Sequence, residues 1–275
     1  MITQQRTWFP RQVLENLPKL KLIVTNGRTS TVVDHECRRE LGIMLCGIVD
    51  PGEPPPASPR RGIAPPSEMA WALLFAVTKR IGIEDRVIRA GGWQTGFPAP
   101  LSGLTLGLAG LGNLGGMMVD GARAFGMDVI AWSENLTDER TSALGVRRVS
   151  KEELLRESDV LGVFLVLSDR TRGLFQREDL ALMKPTAFIV NISRGPIIDE
   201  GALVDALRSG QIAGAGLDVF DREPLPADHP LRTMENAVLM PHLGYVTEPF
   251  FRNAFARMAE DVAAFIKGQP IRVVE

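Results

Sequence analysis

The chain has 275 residues, enough for about two domains at roughly 150 residues each. Its 31 lysines and arginines against 33 acids leave a net charge of −2, which provides no basic field to draw in nucleic acid or an anionic membrane. Hydrophobic residues at 45% and charged residues at 23% exclude wholesale disorder. Cys37 and Cys46 are too few for a disulfide framework, and with His35, His229 and His242 they form no zinc spacing. No metal is expected, and the expected setting is a reducing cytoplasm. MITQQRTWFPRQ lacks the apolar run of a signal peptide. The charge-free stretch from Ala90 to Val119 is long enough to cross a bilayer, but its nine glycines and two prolines suit a turn between strand and helix.

In chain order, KLKLIVT at 19–25 predicts a strand ending in the Asn26-Gly27 turn. Residues 31–40 predict a brief helix, and IMLCGIV at 43–49 a second buried strand. The proline-rich stretch 51–66 reads as an extended linker. Ser67-Glu68 open a helix to about Lys79, with Met69, Leu73, Leu74 and Val77 on one face. From Leu104, six apolar runs (TLGLAGLG, DVIAW, VLGVFLVLS, AFIVNIS, AGAGLDVF, AVLMPHLG) predict strands. Helices are expected at 113–126, 150–157, 177–183 and 200–208, the last capped by Asp199 and stopped by Gly210. A final helix should run over 248–267. Apolar strands alternating with helices predict an α/β fold, a doubly wound parallel sheet covered on both faces. The expected division is a larger α/β domain at 68–247 and a smaller α/β domain from 1–67 plus 248–275. Residues 1–67 offer two strands and a short helix, too little to fold alone.

Gly110-x-Gly112-x-x-Gly115 follows an apolar strand and opens a helix. Gly110 permits the tight turn, Gly112 lets backbone approach a pyrophosphate, and Gly115 lets the helix pack closely. A dinucleotide site is therefore expected, built on a Rossmann-type turn. NAD sites usually place an acid at the end of the next strand to bond the ribose 2′-OH. Here Ser133 holds that place, Glu134 comes one residue late, and the nearest cation is Arg140. The reading is NAD, with NADP left open, because Glu134 still repels a phosphate.

Three further residues follow predicted strands: Arg194 after FIVNIS, Glu223 after AGLDVF, and His242 after AVLMP. Beyond the carboxyl ends of parallel strands lies the ligand crevice. An Arg, a Glu and a His meeting there suit reduction of a 2-keto acid. Arg grips a carboxylate, and His gives or takes the hydroxyl proton beside the Glu. Each residue also has a structural alternative: a solvated strand-end charge for Arg194, an acidic turn for Glu223, a packing histidine for His242. Asp199 is assigned to capping, Trp71 and Trp93 to packing, and His35 and His229 to no role.

The motifs GLAGLGNLG, NISRGPIIDEGAL, AGLDVFDREPLP and MPHLGY, in this order and spacing, resemble the D-isomer-specific 2-hydroxyacid dehydrogenases over 19–275, most clearly over 101–245. The resemblance implies hydride transfer between a nicotinamide cofactor and a small 2-keto or D-2-hydroxy acid. It makes Arg194 the substrate-binding arginine, Glu223 the partner of histidine, and His242 the proton donor or acceptor. Asn113, Leu114, Ile192, Ser193 and Gly244 would lie beside the cofactor, and Asp218 would hold the nicotinamide amide. Backbone N–H groups of Asn26, Gly27 and Arg28, in a loop similar to the family's, would meet the substrate carboxylate. Family members are usually homodimers. Relative to the family, the smaller domain looks truncated at its start and carries the inserted proline-rich stretch. The rival expectation is therefore a cofactor-binding sensor of the same fold with little catalysis.

Overall fold

In the computed structural model, residues 2–3, 8–30, 32–50 and 63–274 are described. Most of the proline-rich stretch, residues 51–62, lies outside them. The chain divides into two units, Met1–Arg61 with Val246–Glu275, and Gly62–Tyr245.

The first unit holds a parallel sheet of β1 (Ile2–Thr3), β2 (Leu22–Thr25) and β3 (Met44–Cys46), in that order. It thus has one strand more than expected. Leu22 and Val24 face Ala254 and Met258 of the helix Glu248–Ile266, while Ile23 and Leu45 pack with Phe9, Leu14 and Cys37 on the other side. This alternation is what a strand's period of two requires when both faces are covered. The end of the chain returns along β3: Val273 bridges Cys46 antiparallel, and Val274 donates to the Leu45 carbonyl at 2.8 Å. Arg272 holds that return in place, donating to Asp261 at 2.9 Å and Glu260 at 2.9 Å.

The second unit is built on seven parallel strands: β4 (Thr105–Ala109), β5 (Asp128–Trp132), β6 (Arg147–Arg148), β7 (Val160–Val163), β8 (Phe188–Asn191), β9 (Gly214–Leu217) and β10 (Ala237–Leu239). Their order is β10-β9-β8-β7-β4-β5-β6. The six predicted strands are present, and Arg147–Arg148 adds a seventh at the edge. Succession reverses between β4 and β7, which makes the carboxyl ends of these two strands the switch point of a doubly wound, Rossmann-type sheet. β4, β7 and β9 are almost wholly buried, since helices cover both faces.

The helix Pro65–Thr78 opens on two prolines, suited to a first turn that needs no N–H, and crosses β9 closely. A Cβ on Gly216 would come within 2.9 Å of Leu73, and one on Gly214 within 2.9 Å of Val77. Those two glycines let the helix lie against the sheet. The stretch expected as one helix over 113–126 is two, Asn113–Gly116 and Met118–Ala124, broken after the Gly115-Gly116 pair. A helix not anticipated, Ile81–Arg89, follows a left-handed turn at Arg80. Asp199 caps Glu200–Ser209 through the N–H of Ala202, and Gly210 ends it at φ +70°, as expected. Trp71 is buried, but Trp93 is 73% exposed and is not a packing residue within this chain. Among the described residues no helix is long and apolar enough to cross a membrane.

Candidate active site

The glycine loop joins β4 to the helix Asn113–Gly116 at the switch point. Gly110 has φ +102°, and a Cβ there would lie 3.0 Å from the Phe164 backbone at the end of β7. Only glycine fits that conformation and approach. A Cβ on Gly115 would sit 2.1 Å from the Gly110 carbonyl, so the helix start presses directly on the turn. Gly112 differs: a Cβ there meets nothing within 4 Å, and Gly112 and Asn113 are exposed. An exposed backbone rim of glycine and helix-start N–H groups, closed behind by Gly110 and Gly115, fits a dinucleotide pyrophosphate. Leu114 accepts a hydrogen bond from Ser67 at 3.0 Å. Ser133, half-buried, follows β5 directly. Arg140 donates to the carbonyls of Leu111 (2.9 Å) and Gly112 (3.0 Å), so it braces the loop from the neighbouring helix. That brace had no local sequence signal beyond being the nearest cation.

The acid–base residues follow the neighbouring strands β8, β9 and β10. After β8, Asn191 folds the chain into a tight turn. Its Oδ1 accepts the Ser193 N–H at 3.0 Å and its Nδ2 donates to the Arg194 carbonyl at 3.1 Å. Ser193 also donates to the Leu165 carbonyl, and Ile192 is buried against the core. Arg194 is thereby held exposed, its guanidinium bonded to its own strand end at the Ser193 carbonyl. Asn191 shapes the turn that carries Arg194, and the motif reading passed over it.

After β9 and β10, Glu223 Oε2 lies 2.6 Å from Nδ1 of His242, with both side chains about four-fifths buried (22% and 20% exposed). The other oxygen, Oε1, accepts the Phe220 N–H at 3.1 Å. His242 sits at φ +57°, a backbone state uncommon outside glycine. Asp218 explains how it is held. This fully buried carboxylate accepts the N–H of Leu243 at 2.7 Å and of Gly244 at 2.8 Å, clamping the residues just after His242. Burial pushes the Asp218 carboxyl above the ordinary range, against the pull of those two N–H groups. Each Asp218 oxygen thus takes one backbone N–H and keeps a further lone pair, and the Gly244 N–H is one of the two donors. Both residues anchor the histidine segment. Tyr245 stands close enough for the Arg194 charge to act on its phenol, whose pKa burial raises.

Glu223 and His242 thus meet, with Arg194 on the adjacent strand end. Asn26, Gly27 and Arg28 belong to the other unit, where they follow the carboxyl end of β2 and the Gly27 carbonyl accepts from Ile48 at 3.0 Å. Among the described residues no cluster of His, Cys, Asp and Glu could hold a metal ion.

Comparison with known proteins gives a consistent picture. The family model for the NAD-binding domain of D-isomer-specific 2-hydroxyacid dehydrogenases matches residues 71–244. A glyoxylate reductase from Aeropyrum pernix is 38% identical, over 94% of this chain and 76% of the relative. Among solved structures, a phosphoglycerate oxidoreductase from Vibrio cholerae superposes with a TM-score of 0.87 at 31% identity, covering 97% of this chain and 84% of the other. A D-lactate dehydrogenase from Aquifex aeolicus, complexed with NAD and lactic acid, has a TM-score of 0.79 at 27% identity, covering 98% and 83%.

Proposed function

The chain belongs to the D-isomer-specific 2-hydroxyacid dehydrogenase family, and on that premise we propose that Arg194, Glu223 and His242 carry its chemistry. The enzyme is an NAD(P)-linked oxidoreductase interconverting a 2-keto acid and a D-2-hydroxy acid. The hydride is supplied or accepted by the nicotinamide when it is bound. Arg194 takes the substrate carboxylate, and its charge polarises the adjacent carbonyl. His242 protonates the carbonyl oxygen during reduction and takes the proton back during oxidation. Glu223 holds Nδ1, which orients the ring, assigns Nε2 to the substrate and stabilises the imidazolium. Gly110, Gly112, Asn113, Leu114 and Gly115 seat the pyrophosphate, with Ser133, Ile192 and Ser193 along the cofactor. The smaller unit, which carries Asn26 to Arg28, serves as the substrate domain.

The 2.6 Å contact of His242 with Glu223, after strands adjacent to that of Arg194, supports this reading most directly. Glyoxylate, the substrate named for the Aeropyrum relative, is the first candidate. Reduced cofactor should be oxidised with glyoxylate, hydroxypyruvate or a larger 2-keto acid. Folded protein that turns over none of them is the sensor of the rival reading. His242→Ala should cut turnover by about 10²- to 10⁴-fold and leave cofactor affinity near wild type, because the proton moves only in the chemical step. We place NAD ahead of NADP because Glu134 repels a 2′-phosphate, but by a small margin, since Ser133 neither bonds the 2′-OH as a carboxylate does nor adds to that repulsion. Ser133→Asp should sharpen that preference, read as the ratio of NADH to NADPH dissociation constants. A strong NADPH preference in the parent protein is the contrary result.

The enzyme is further proposed to be a homodimer. Ile81, Ile88, Trp93 and Phe97 are 52%, 50%, 73% and 99% exposed within one short stretch, an apolar surface that a second copy would cover. Buried free thiols at Cys37 and Cys46 suit a reducing cytoplasm.

A further inference from the structure

Glu200 opens the helix that follows Arg194, and its side chain is only 21% exposed. Its Oε1 lies 2.9 Å from Nε2 of His229, whose side chain is 15% exposed. Its Oε2 accepts the backbone N–H of Asp221 at 3.1 Å. Nδ1 of His229 accepts the Leu231 N–H at 3.3 Å, so the neutral ring carries its proton on Nε2 and donates it to Glu200. One carboxylate therefore ties down both ends of the segment 221–229, and Glu223 lies within it. Just before that segment, the Phe220 N–H donates to Glu223 Oε1, whose sister oxygen meets His242. The Phe220–Asp221 peptide is confined from a second side. A Cβ on Gly195, the residue after Arg194, would come within 2.1 Å of its carbonyl carbon and 2.4 Å of its nitrogen. A single peptide thus abuts the Arg194 turn, bonds Glu200 and leads into Glu223.

We propose that Glu200 and His229 are positioning residues for the hydride-transfer reaction: they fix the Phe220–Asp221 peptide and, through it, the approach of Glu223 to His242 and the setting of Arg194. The inference rests on the reading of Glu223 and His242 as the acid–base pair. Misplacement by a fraction of an ångström at such a pair costs turnover and spares binding of a cofactor held elsewhere. The Asp221 carboxyl reports on the same arrangement. Desolvation, then the facing carboxylates of Glu200 and Asp199, push it up to about 6, with Arg172 and His229 opposing. Loss of the Glu200 charge should therefore move its titration downward.

The test uses the full chain with NADH and glyoxylate, or whichever 2-keto acid the parent protein reduces best. It compares Glu200→Ala, Glu200→Gln, His229→Gln and His242→Gln. Glu200→Ala should lower kcat by about tenfold to a hundredfold, with the NADH dissociation constant within about twofold of wild type. Glu200→Gln keeps an acceptor for the Asp221 N–H and should recover part of the loss. In the same variants, carboxyl NMR should find the Asp221 midpoint lowered. Wild-type kcat in Glu200→Ala overturns the inference, as does a kcat loss matched by equal losses of NADH affinity and thermal stability. If Glu200→Ala does not fold, His229→Gln is read by the same criteria. Full turnover in His242→Gln sinks the acid–base reading and this inference together. Loss in His242→Gln with none in Glu200→Ala sinks the inference alone.

Discussion

Asp218, Asp221 and Glu223 share one short loop, yet each has a different task because each meets a different neighbour. Asp218 is sealed against two backbone N–H groups, Glu223 faces an imidazole, and Asp221 faces other carboxylates. The sign of the Asp221 effect follows from linkage. Its carboxyl titrates near 6 in the folded chain against an ordinary 3.8, so the folded state binds the extra proton between those values. The stability it lends is fully present below the ordinary value and is lost as pH rises through about 6. At neutral pH the ionised group is a cost. Asp221→Asn should raise Tm at pH 7.5 and change it little at pH 4, and an unchanged or lower Tm at pH 7.5 is the contrary outcome. Glu223 and His242 were legible as residues because their motifs are local and ordered along the chain. The anchoring by Asp218 and the pairing of Glu200 with His229 were not, since the first depends on burial and the second joins positions 29 apart within polar segments.

Among the elements, the glycine turn at the end of β4 was the most legible, because backbone conformation and close packing each demand glycine there. Gly115→Ala tests this. The added methyl has only 2.1 Å to the Gly110 carbonyl, so the helix start must move away from the turn. NADH affinity should fall by about tenfold or more, at about 1–3 kcal/mol of stability, measured by fluorescence titration and chemical unfolding. Wild-type affinity would show that the turn tolerates displacement. Elements without an apolar pattern escaped notice. β6 consists of two exposed arginines, and the helix Asp138–Leu144 is polar over most of its length. Only pairing with β5 makes Arg147–Arg148 a strand. The break at Arg80 was equally silent, because a left-handed arginine carries no signature in composition.

At the scale of the molecule, the proposed dimer is open to a direct test. Phe97→Asp places a charge at the most exposed apolar side chain of the stretch 81–97, and light scattering should then report monomers where the parent protein gives dimers. A dimeric variant would locate the contact elsewhere, and a monomeric parent would remove the proposal. The division into two units has a further consequence, for folding. The seven-stranded unit is one uninterrupted length of chain, whereas its companion joins residues before 62 to residues after 245. The edge of β3 is finished by Val273 and Val274, and Arg272 is tied back to Asp261. Closing that companion means bringing together segments separated by the whole of the seven-stranded unit, a loop-closure cost that the contiguous unit does not bear. The contiguous unit should therefore form first, and the smaller unit, with its non-local pairing, should follow as the slower step.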